Sequence, residues 1–498
     1  MIRLLFLLHR YLGIVAGLVM LIWTLSGIIM MYQEYPELTP DQQLALLNPL
    51  TTATCCVLPD SNLLRTEQFA DARIEMLLDN PVLRLSSHDR GLLLYDLTDG
   101  KRIDLISENL AQTIADHFVS DRYSTSSPQL LGLINNDQWT VYGAYNPLRP
   151  LFKFAVDDAA GTQFYISSTT GEIIQITTTS QRVWGYLGAV IHWLYPTILR
   201  QHTALWTQVV IWLTILGIFL TATGLYIGIR QYRQRFNGRK SPYRGMALYH
   251  HYAGLIFGVL TLSWVGSGLL SMNPWGTLEG EGAGAEVQRL TQRLLQWSDI
   301  TAVISTIGSY PTTTTARLEI EVLQGNAQVI AHTTTGTATR LDATSLSPAP
   351  LTMNELAALA AKLRPDHQIQ SQTLLTESDA YYYDHHITLE FPIYRVVIDD
   401  EQLRHYYLSP VSGQLLRKVD SELRLYRWLF YGLHRGDFSV FLRSRPVWDL
   451  FMLAFLCGVT LVCGTGSYMA IRRVRRDLAL NKFKNDTNAE FDDGIKDY

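Results

Sequence analysis

The feature that most constrains the fold of this chain is a set of four long apolar stretches. A transmembrane helix needs about 20 mostly apolar residues to cross a hydrocarbon core of about 30 Å. Four stretches meet this requirement, at residues 12–32, 205–229, 253–272 and 447–471. The chain of 498 residues is 47% apolar and only 17% charged, which is more apolar than most soluble proteins. The sequence therefore predicts an integral membrane protein with four transmembrane helices.

Lysine and arginine in the short flanks predict how these helices are oriented. Arg3 and Arg10 flank the first stretch, "RQYRQRFNGRKSPYR" joins the second to the third, and "RRVRRDLALNKFK" follows the fourth. Because basic flanks stay in the cytoplasm, we expect both termini and the basic loop to be cytoplasmic. The first stretch is too long for a signal peptide and has no small-residue cleavage site after it. The basic runs are membrane anchors, and nothing in the sequence favours a nucleic-acid partner.

The second half of the chain repeats the first. "FKFAVDDAAGTQFYISSTTGE" matches "YRVVIDDEQLRHYYLSPVSGQ" at a constant offset of 242 residues, and the match continues into the membrane, where "TGLYIGIR" matches "TGSYMAIR". Each half runs helix out, external domain, helix back, so the halves are predicted to be parallel repeats about an axis along the membrane normal. Alternating strands around Gly171 and a capped helix starting at Thr352 predict α+β external domains.

These patterns divide the chain into eight predicted segments. They are transmembrane helix 1 (1–32), external domain 1 (33–181), an interfacial helix with transmembrane helix 2 (182–230), a cytoplasmic loop (231–244), transmembrane helix 3 (245–272), external domain 2 (273–423), an interfacial helix with transmembrane helix 4 (424–472) and a cytoplasmic tail (473–498). If the host is a Gram-negative bacterium, the external domains lie in the periplasm and the membrane is the inner one.

Histidines occur at matched depths in the two halves. His9 and His250 lie at the cytoplasmic ends of helices one and three, while His192 and His434 match at the offset of 242 and precede the returning helices. Ionisable residues in a membrane are costly and usually functional. The sequence therefore predicts one pair of imidazoles at the inner face and one at the outer face.

Two facing imidazoles among apolar side chains suit an iron porphyrin, because neutral nitrogen fills both axial positions of the haem iron. Zinc would prefer a four-ligand set with cysteine or carboxylate, which is not evident at these points. Small residues after the first histidine of each half leave room for a flat macrocycle: Gly13, Gly17, Gly254 and Gly258. The predicted cofactors are two haem b groups, one at each pair.

Other polar residues leave alternatives open. His251 matches Arg10 and belongs either at the lipid headgroups or, as a rival to His250, on the iron. His202 is either an interfacial residue or a substitute outer ligand. The run "YYYDHH" is either an exposed loop or a substrate site for a metal or iron chelate, formed by Tyr383, Asp384, His385 and His386. The adjacent Cys55 and Cys56 belong to no disulfide framework and have no assignable role.

Three of the quoted motifs resemble a known family. "HRYLGIVAGLVMLIWTLSGI", the "YISSTTGE" hairpin and "YGLHRGD" before a returning helix resemble the PepSY-associated transmembrane family of bacterial inner-membrane proteins, over residues 4–473. The resemblance implies two PepSY-like external domains. It also implies a dihaem b-type reductase of ferric siderophores, with His9, His250, His192 and His434 at the haem positions. "VIHWLYP" around His192 departs from the shorter family pattern.

Two classes of function follow. In the first, an electron donor in the cytoplasm or membrane reduces the protein, which passes electrons to a ferric chelate in the periplasm. The sequence has no flavin, nicotinamide or P-loop motif, so the donor must be another molecule. In the second, the chain is a non-redox membrane protein whose PepSY domains bind or inhibit a periplasmic partner such as a protease.

Overall fold

The protein is described here from a computed structural model. It describes residues 2–52, 55–59, 62–123, 127–232, 240–310, 314–384 and 389–493. The chain forms two compact units. The helical unit comprises Met1–Tyr35, Trp184–Glu279 and Leu425–Tyr498, and the β-rich unit comprises Pro36–Val183 and Gly280–Arg424.

The helices of the described residues are, in chain order, α1 (Ile2–Met30), α2 (Pro40–Leu44), α3 (Asn62–Thr66), α4 (Glu108–Arg122), α5 (Thr179–Gly185), α6 (Thr197–Arg200), α7 (Thr203–Tyr232), α8 (Met246–Ser271), α9 (Gly284–Thr291), α10 (Trp297–Thr306), α11 (Met353–Leu363), α12 (Ser421–Tyr426), α13 (Leu433–Arg435), α14 (Val440–Arg443) and α15 (Val447–Asp493). Two short segments are π-helical, Tyr186–Val190 and Arg427–Gly432.

The strands are β1 (Gln68–Leu77), β2 (Asn80–Ser87), β3 (Gly91–Asp96), β4 (Pro128–Ile134), β5 (Leu151–Val156), β6 (Gln163–Ser167), β7 (Ile173–Thr177), β8 (Leu295–Gln296), β9 (Thr315–Leu323), β10 (Asn326–Thr333), β11 (Ala338–Asp342), β12 (Gln368–Leu375), β13 (Ile393–Asp399), β14 (His405–Leu408) and β15 (Leu415–Val419).

Four helices are long and apolar enough to cross a membrane: α1, α7, α8 and α15 as far as Ala479. This confirms the prediction of a membrane protein with four such helices. Each packs against two others, because α1 contacts α7 and α15, and α8 contacts the same two. Helix α1 begins ten residues before the predicted apolar stretch, since an α-helix satisfies its own backbone and so extends through polar flanks. His9 consequently lies within the helix.

The π-helical segments pack against the starting helix of their own half. Tyr186–Val190 contacts α1. Arg427–Gly432 contacts α8, and the short helix α13 that follows it contacts α8 as well. A side chain at Gly188 would come within 3.1 Å of Ile29, so glycine allows this close approach. The contacts hold His192 and His434, which follow the two segments, beside α1 and α8.

The β-rich unit is built around a sheet that contains strands from both halves. Its order is β11-β10-β9-β1-β2-β3, with β8 paired to β1. The central strands β1 and β9 are antiparallel, with Arg73 opposite Glu319. The sequence predicts two separate external domains, whereas the structure joins their strands in one unit. Within its own half, each of these two strands pairs with a neighbour on one side only. The pairing of β1 with β9 satisfies the backbone hydrogen-bonding groups on the remaining edge of both strands.

Two further sheets have the same order in the two halves, β4-β5-β6-β7 and β12-β13-β14-β15. Each forms an apolar core with one helix, α4 in the first half and α11 in the second. The Thr352 side chain accepts a hydrogen bond from the backbone N–H of Glu355 at the start of α11, as the sequence predicts.

Candidate cofactor sites at two histidine pairs

The first histidine pair joins two membrane helices. His9 on α1 and His250 on α8 face each other with ring centroids 6.3 Å apart and ring planes 39° apart. Both side chains are partly buried. Residues separated by nearly half of the chain length are thus brought together within the helical unit.

The second histidine pair lies next to the π-helical segments. His192 and His434 have ring centroids 6.1 Å apart and ring planes 68° apart. The His434 ring stacks on Phe430 at 5.2 Å, so an aromatic side chain fixes one face of this imidazole. The two pairs have the same spacing although their histidines lie on different kinds of element.

Each of the four histidines is held through its Nδ1 atom by a backbone carbonyl of another helix. In the first pair, Nδ1 lies 3.0 Å from Leu220 O for His9 and 3.1 Å from Val462 O for His250. In the second pair, the acceptors are Trp23 O at 3.0 Å for His192 and Trp264 O at 3.2 Å for His434. A carbonyl only accepts, so Nδ1 must donate, and the neutral ring then keeps a lone pair on Nε2. This is the second-sphere arrangement that orients a histidine for a metal ion.

The four carbonyls belong to one recurring pattern, which we call the cradle: a carbonyl residue, a serine or threonine three positions later, and a glycine at the fourth. Its four copies read "WTLSG" from Trp23, "LTATG" from Leu220, "WVGSG" from Trp264 and "VCGTG" from Val462. In three copies the hydroxyl also contacts the histidine Nδ1, at 3.3 Å for Ser26, 3.1 Å for Ser267 and 3.1 Å for Thr465. All four hydroxyls also donate to a backbone carbonyl of their own helix. Thr223 differs because no contact of its hydroxyl with a histidine is found among the described residues.

The cradle glycine lets the imidazole lie against the neighbouring helix. A Cβ atom at Gly224 would come within 2.6 Å of His9 Cε1, and one at Gly466 within 3.1 Å of His250 Cε1. At the second pair, Gly27 and Gly268 take the corresponding places at 3.4 and 3.6 Å. The sequence analysis missed these glycines because it considered only those that follow the histidines on the same helix. The fourfold repetition of the pattern was the signal that could have found them.

A cavity of about 930 Å³ adjoins the first pair. It falls within the range of about 300–1000 Å³ typical of cofactor and ligand sites. Its lining includes both histidines and the four glycines predicted to leave room for a macrocycle, Gly13, Gly17, Gly254 and Gly258. Cradle residues Leu220, Gly224, Val462 and Gly466 also line it. The space beside the rings is therefore bounded by small and apolar groups.

The ring spacing fits two imidazoles on opposite sides of one metal ion. Two metal–nitrogen bonds of about 2 Å each, plus the two ring radii, give a separation of about 6 Å between centroids. The observed separations are 6.3 and 6.1 Å. Within the described part of the chain, no group of three or more His, Cys, Asp or Glu side chains is placed to hold a metal ion. The donor sets thus suit a metal whose remaining ligands come with it, as in haem.

His251 and His202 lie outside both pairs. His251 is buried, with Nε2 2.8 Å from Gly228 O and Nδ1 2.7 Å from Ser241 Oγ, so both of its ring nitrogens are engaged. Its expected place at the headgroups is not observed, because the ring packs between α8 and the end of α7. His202 is exposed and belongs to neither pair.

The proposed substrate loop is only partly a surface feature. Tyr383 is buried, and its neighbour Tyr382 stacks on Tyr407 at 5.0 Å. Asp384 is exposed, while His385 and His386 lie outside the described residues. The aromatic part of "YYYDHH" thus belongs to a core and is not free to stack on a chelate.

Comparison with known protein families identifies the family of this chain. The sequence model of a family described as the PepSY-associated TM region matches residues 6–473. The matched range contains α7 and α8, most of α1 and of the membrane span of α15, both histidine pairs and all four cradles. No curated protein sequence matches the chain significantly.

Proposed function

The chain belongs to the PepSY-associated transmembrane family, and on this premise we propose that it is an inner-membrane dihaem b-type oxidoreductase. It takes electrons from a donor on the cytoplasmic side or in the membrane and delivers them to a periplasmic acceptor. In this proposal the two halves are parallel repeats, the β-rich unit is periplasmic, and the basic segments are cytoplasmic.

The observation that carries the proposal is the matched geometry of the two pairs. Two sets of facing imidazoles share one spacing, and each ring is fixed through Nδ1 by the same cradle. His9, His250, His192 and His434 would hold the two groups. When bound, haem supplies reversible one-electron exchange at each pair.

The chain's own residues prepare this exchange. The cradle carbonyls keep Nδ1 protonated and so leave the lone pair of each ring on Nε2, the atom that would bind the metal ion. The engagement of both His251 nitrogens favours His250 as the ligand at the first pair. Because each ring is already held, little rearrangement is needed when the charge at the site changes.

The two pairs lie at different depths along α1. His9 belongs to the first pair, and Trp23, which binds the second, is 14 residues further along the helix. At 1.5 Å per residue this is a rise of about 21 Å, which is most of a hydrocarbon core of about 30 Å. One pair near each face would divide the crossing into shorter steps.

The proposed acceptor is a ferric siderophore or another ferric chelate, and the family resemblance is what supports it. Oxygen-rich chelators favour Fe(III) over the softer Fe(II), so adding one electron to the chelated iron weakens its binding. The buried aromatic residues of "YYYDHH" give no support for that loop as the binding site.

The proposal is tested by the absorption spectrum and the haem content of the purified full-length chain. We expect the bands of a reduced b-type cytochrome and two haems per chain. His250→Ala should leave one haem, whereas His202→Ala, which changes an exposed histidine outside both pairs, should leave two. A colourless wild-type protein would contradict the proposal and favour the non-redox alternative.

A further inference from the structure

The cavity beside the first pair has a cationic mouth. Arg10, Arg244 and Arg472 line it. No carboxylate forms an ion pair with any of the three among the residues that the structure describes. Arg473 and Arg476 also line the cavity, but both lie beside Asp477, at 2.7 and 3.9 Å. The described lining contains no Asp or Glu, so three positive charges face this space without a protein counter-ion.

These arginines come from three elements that meet at the cavity. Arg10 follows His9 on α1, Arg244 precedes α8, and Arg472 lies on α15 beyond the cradle of His250. A cytoplasmic excess of basic residues explains arginine at this end of the helices. It does not explain why three of them converge on one cavity, since Arg475 lies on the same turn of α15 and is not part of the lining.

The cavity is therefore polar at one end and apolar at the other. Its other lining residues include Met20, Leu220 and Cys463, which belong to a buried apolar cluster. A ligand that fits must place its centre between two imidazoles, carry apolar substituents on one edge and carry anionic groups on the opposite edge. Arginine suits carboxylates because its planar fork donates two parallel hydrogen bonds.

We propose that Arg10, Arg244 and Arg472 bind the two propionate carboxylates of the haem held by His9 and His250. This inference rests on the proposed function and adds the orientation of the group, with its carboxylate edge towards the arginines. It also makes the first site selective for a porphyrin with free carboxylates over one whose carboxylates are blocked.

The arginines near the second pair are engaged differently. Arg427 and Arg443 both contact Asp437, at 3.2 and 2.9 Å. Arg435 lies over the rings of Phe430 and Tyr431. These cations already have partners, so the proposed carboxylate site is specific to the first pair.

The test compares haem with its dimethyl ester, in which both propionates are blocked. The full-length chain carrying His434→Ala, which leaves the first pair as the bis-histidine site, is titrated with each compound and followed by absorption. We expect haem to bind at least tenfold more tightly than the ester, because a hydrogen bond to a charged group contributes about a factor of ten. In the same chain, the triple variant Arg10→Ala, Arg244→Ala, Arg472→Ala should lose this preference, and Arg475→Ala should keep it.

Each outcome decides one of the two proposals. Equal binding of haem and ester by the His434→Ala chain, or an unchanged preference in the triple variant, overturns the arginine assignment while the haem protein stands. A wild-type chain that binds neither compound overturns the proposed function itself. If the triple variant does not fold, Arg472→Ala alone should reduce the preference, and no reduction overturns the assignment.

Discussion

Glu75 and Glu321 occupy matched positions in the central sheet of the β-rich unit, but their partners differ in charge. Each lies three residues before a turn residue of positive φ, Leu78 or Gln324. Glu75 is fully buried and accepts hydrogen bonds from Arg84 at 2.5 Å and Arg317 at 2.8 Å. Burial raises the pKa of Glu75, but these arginines outweigh it and bring the pKa down to about 2.

Glu321 is 6% exposed and accepts a hydrogen bond from Gln328 at 2.6 Å. Gln328 takes the place of Arg84, because the two side chains donate to the matched carbonyls of Ser412 and Thr170. Burial, only partly offset by the hydrogen bond from Gln328, raises the pKa of Glu321 to about 8. One carboxyl is therefore ionised at neutral pH and the other is largely protonated.

The helical unit shows the opposite behaviour. There the matched residues keep matched contacts: four histidines, four carbonyls and four glycines repeat one geometry. Two equal cofactor sites would require this repetition, whereas a sheet tolerates any buried pair whose hydrogen bonds are satisfied. Contacts that are the same in both halves therefore indicate where both halves must form the same site.

The largest expected effect comes from replacing Glu75, the ionised one of the two carboxyls compared. Glu75→Gln leaves the buried Arg84 with only the more distant Glu172, at 4.0 Å, and removes the anion beside the partly buried Arg317. Losing one partner of a buried ion pair costs about 3–5 kcal/mol. The matched variant Glu321→Gln keeps the folded site neutral and should not destabilise the chain at pH 7, because the wild-type carboxyl must bind a proton on folding at that pH and the amide need not. Thermal unfolding of the detergent-solubilised chain measures both. Equal losses would mean that the two carboxyls do not differ in charge.

The second prediction concerns pH. The folded-state pKa of Glu321 lies above its unfolded value of 4.5, so the folded protein binds more protons and loses stability as pH rises between 4.5 and about 8. Glu321→Gln should remove this loss, which these two pKa values put at about 4 kcal/mol at pH 8. The melting temperatures of wild type and variant should therefore diverge between pH 5 and pH 9. A constant difference would contradict the raised pKa.

The pKa of Glu75 is lowered to about 2, so its contribution has the opposite sign. That contribution is complete above pH 4.5 and is lost as pH falls towards 2. An acid titration that follows unfolding below pH 4.5 should therefore be steeper in wild type than in Glu75→Gln.

The third prediction breaks the symmetry of the cradles. In Gly224→Ala the new methyl group would meet His9 Cε1 at 2.6 Å, and overpacking of this kind costs about 1–3 kcal/mol. Haem affinity at the first pair should fall by about 10- to 100-fold, and the second pair should be unaffected. Gly266→Ala is the control, because no heavy atom lies within 4 Å of its Cβ position. Equal haem loss in both variants would show that the cradle glycine is not special.

The smallest expected effect concerns the cradle hydroxyl. Ser267 lies 3.1 Å from His434 Nδ1, and an acceptor at Nδ1 makes the ring more basic. Ser267→Ala should therefore raise the midpoint potential of the second site by tens of millivolts, which corresponds to about 1 kcal/mol. Thr223→Ala should leave the potential of the first site unchanged, because in the described part of the chain its hydroxyl contacts only backbone carbonyls and not His9. Potentiometric titration of the two bands measures both.

The sequence predicts the membrane helices well because their length and composition are local properties. The repeat also predicted which histidines would lie together, through an offset of 242 for His192 and His434 and matching places in the opening helices for His9 and His250. The structure places these rings 6.1 and 6.3 Å apart. The family resemblance is confirmed by the match over residues 6–473. The role of the four histidines as haem ligands stays a prediction.

Contacts between residues far apart in the chain could not be predicted from the sequence. Every residue has a carbonyl, so nothing singled out Leu220 or Val462 as the acceptor for a histidine more than 200 positions away. The pairing of β1 with β9 depends on which strand edges remain open after the hairpins form. The burial of His251 depends on the close approach of Gly228, and the offset alone suggested a surface residue like Arg10.

The separation of each histidine from its cradle also sets an order of assembly during synthesis. The second pair is complete once the ribosome has passed His434, since its carbonyls at Trp23 and Trp264 are already made. The first pair needs Val462, which lies on the last membrane helix. His9, on the first of the four membrane helices, must therefore wait for the synthesis of the fourth before its site can close.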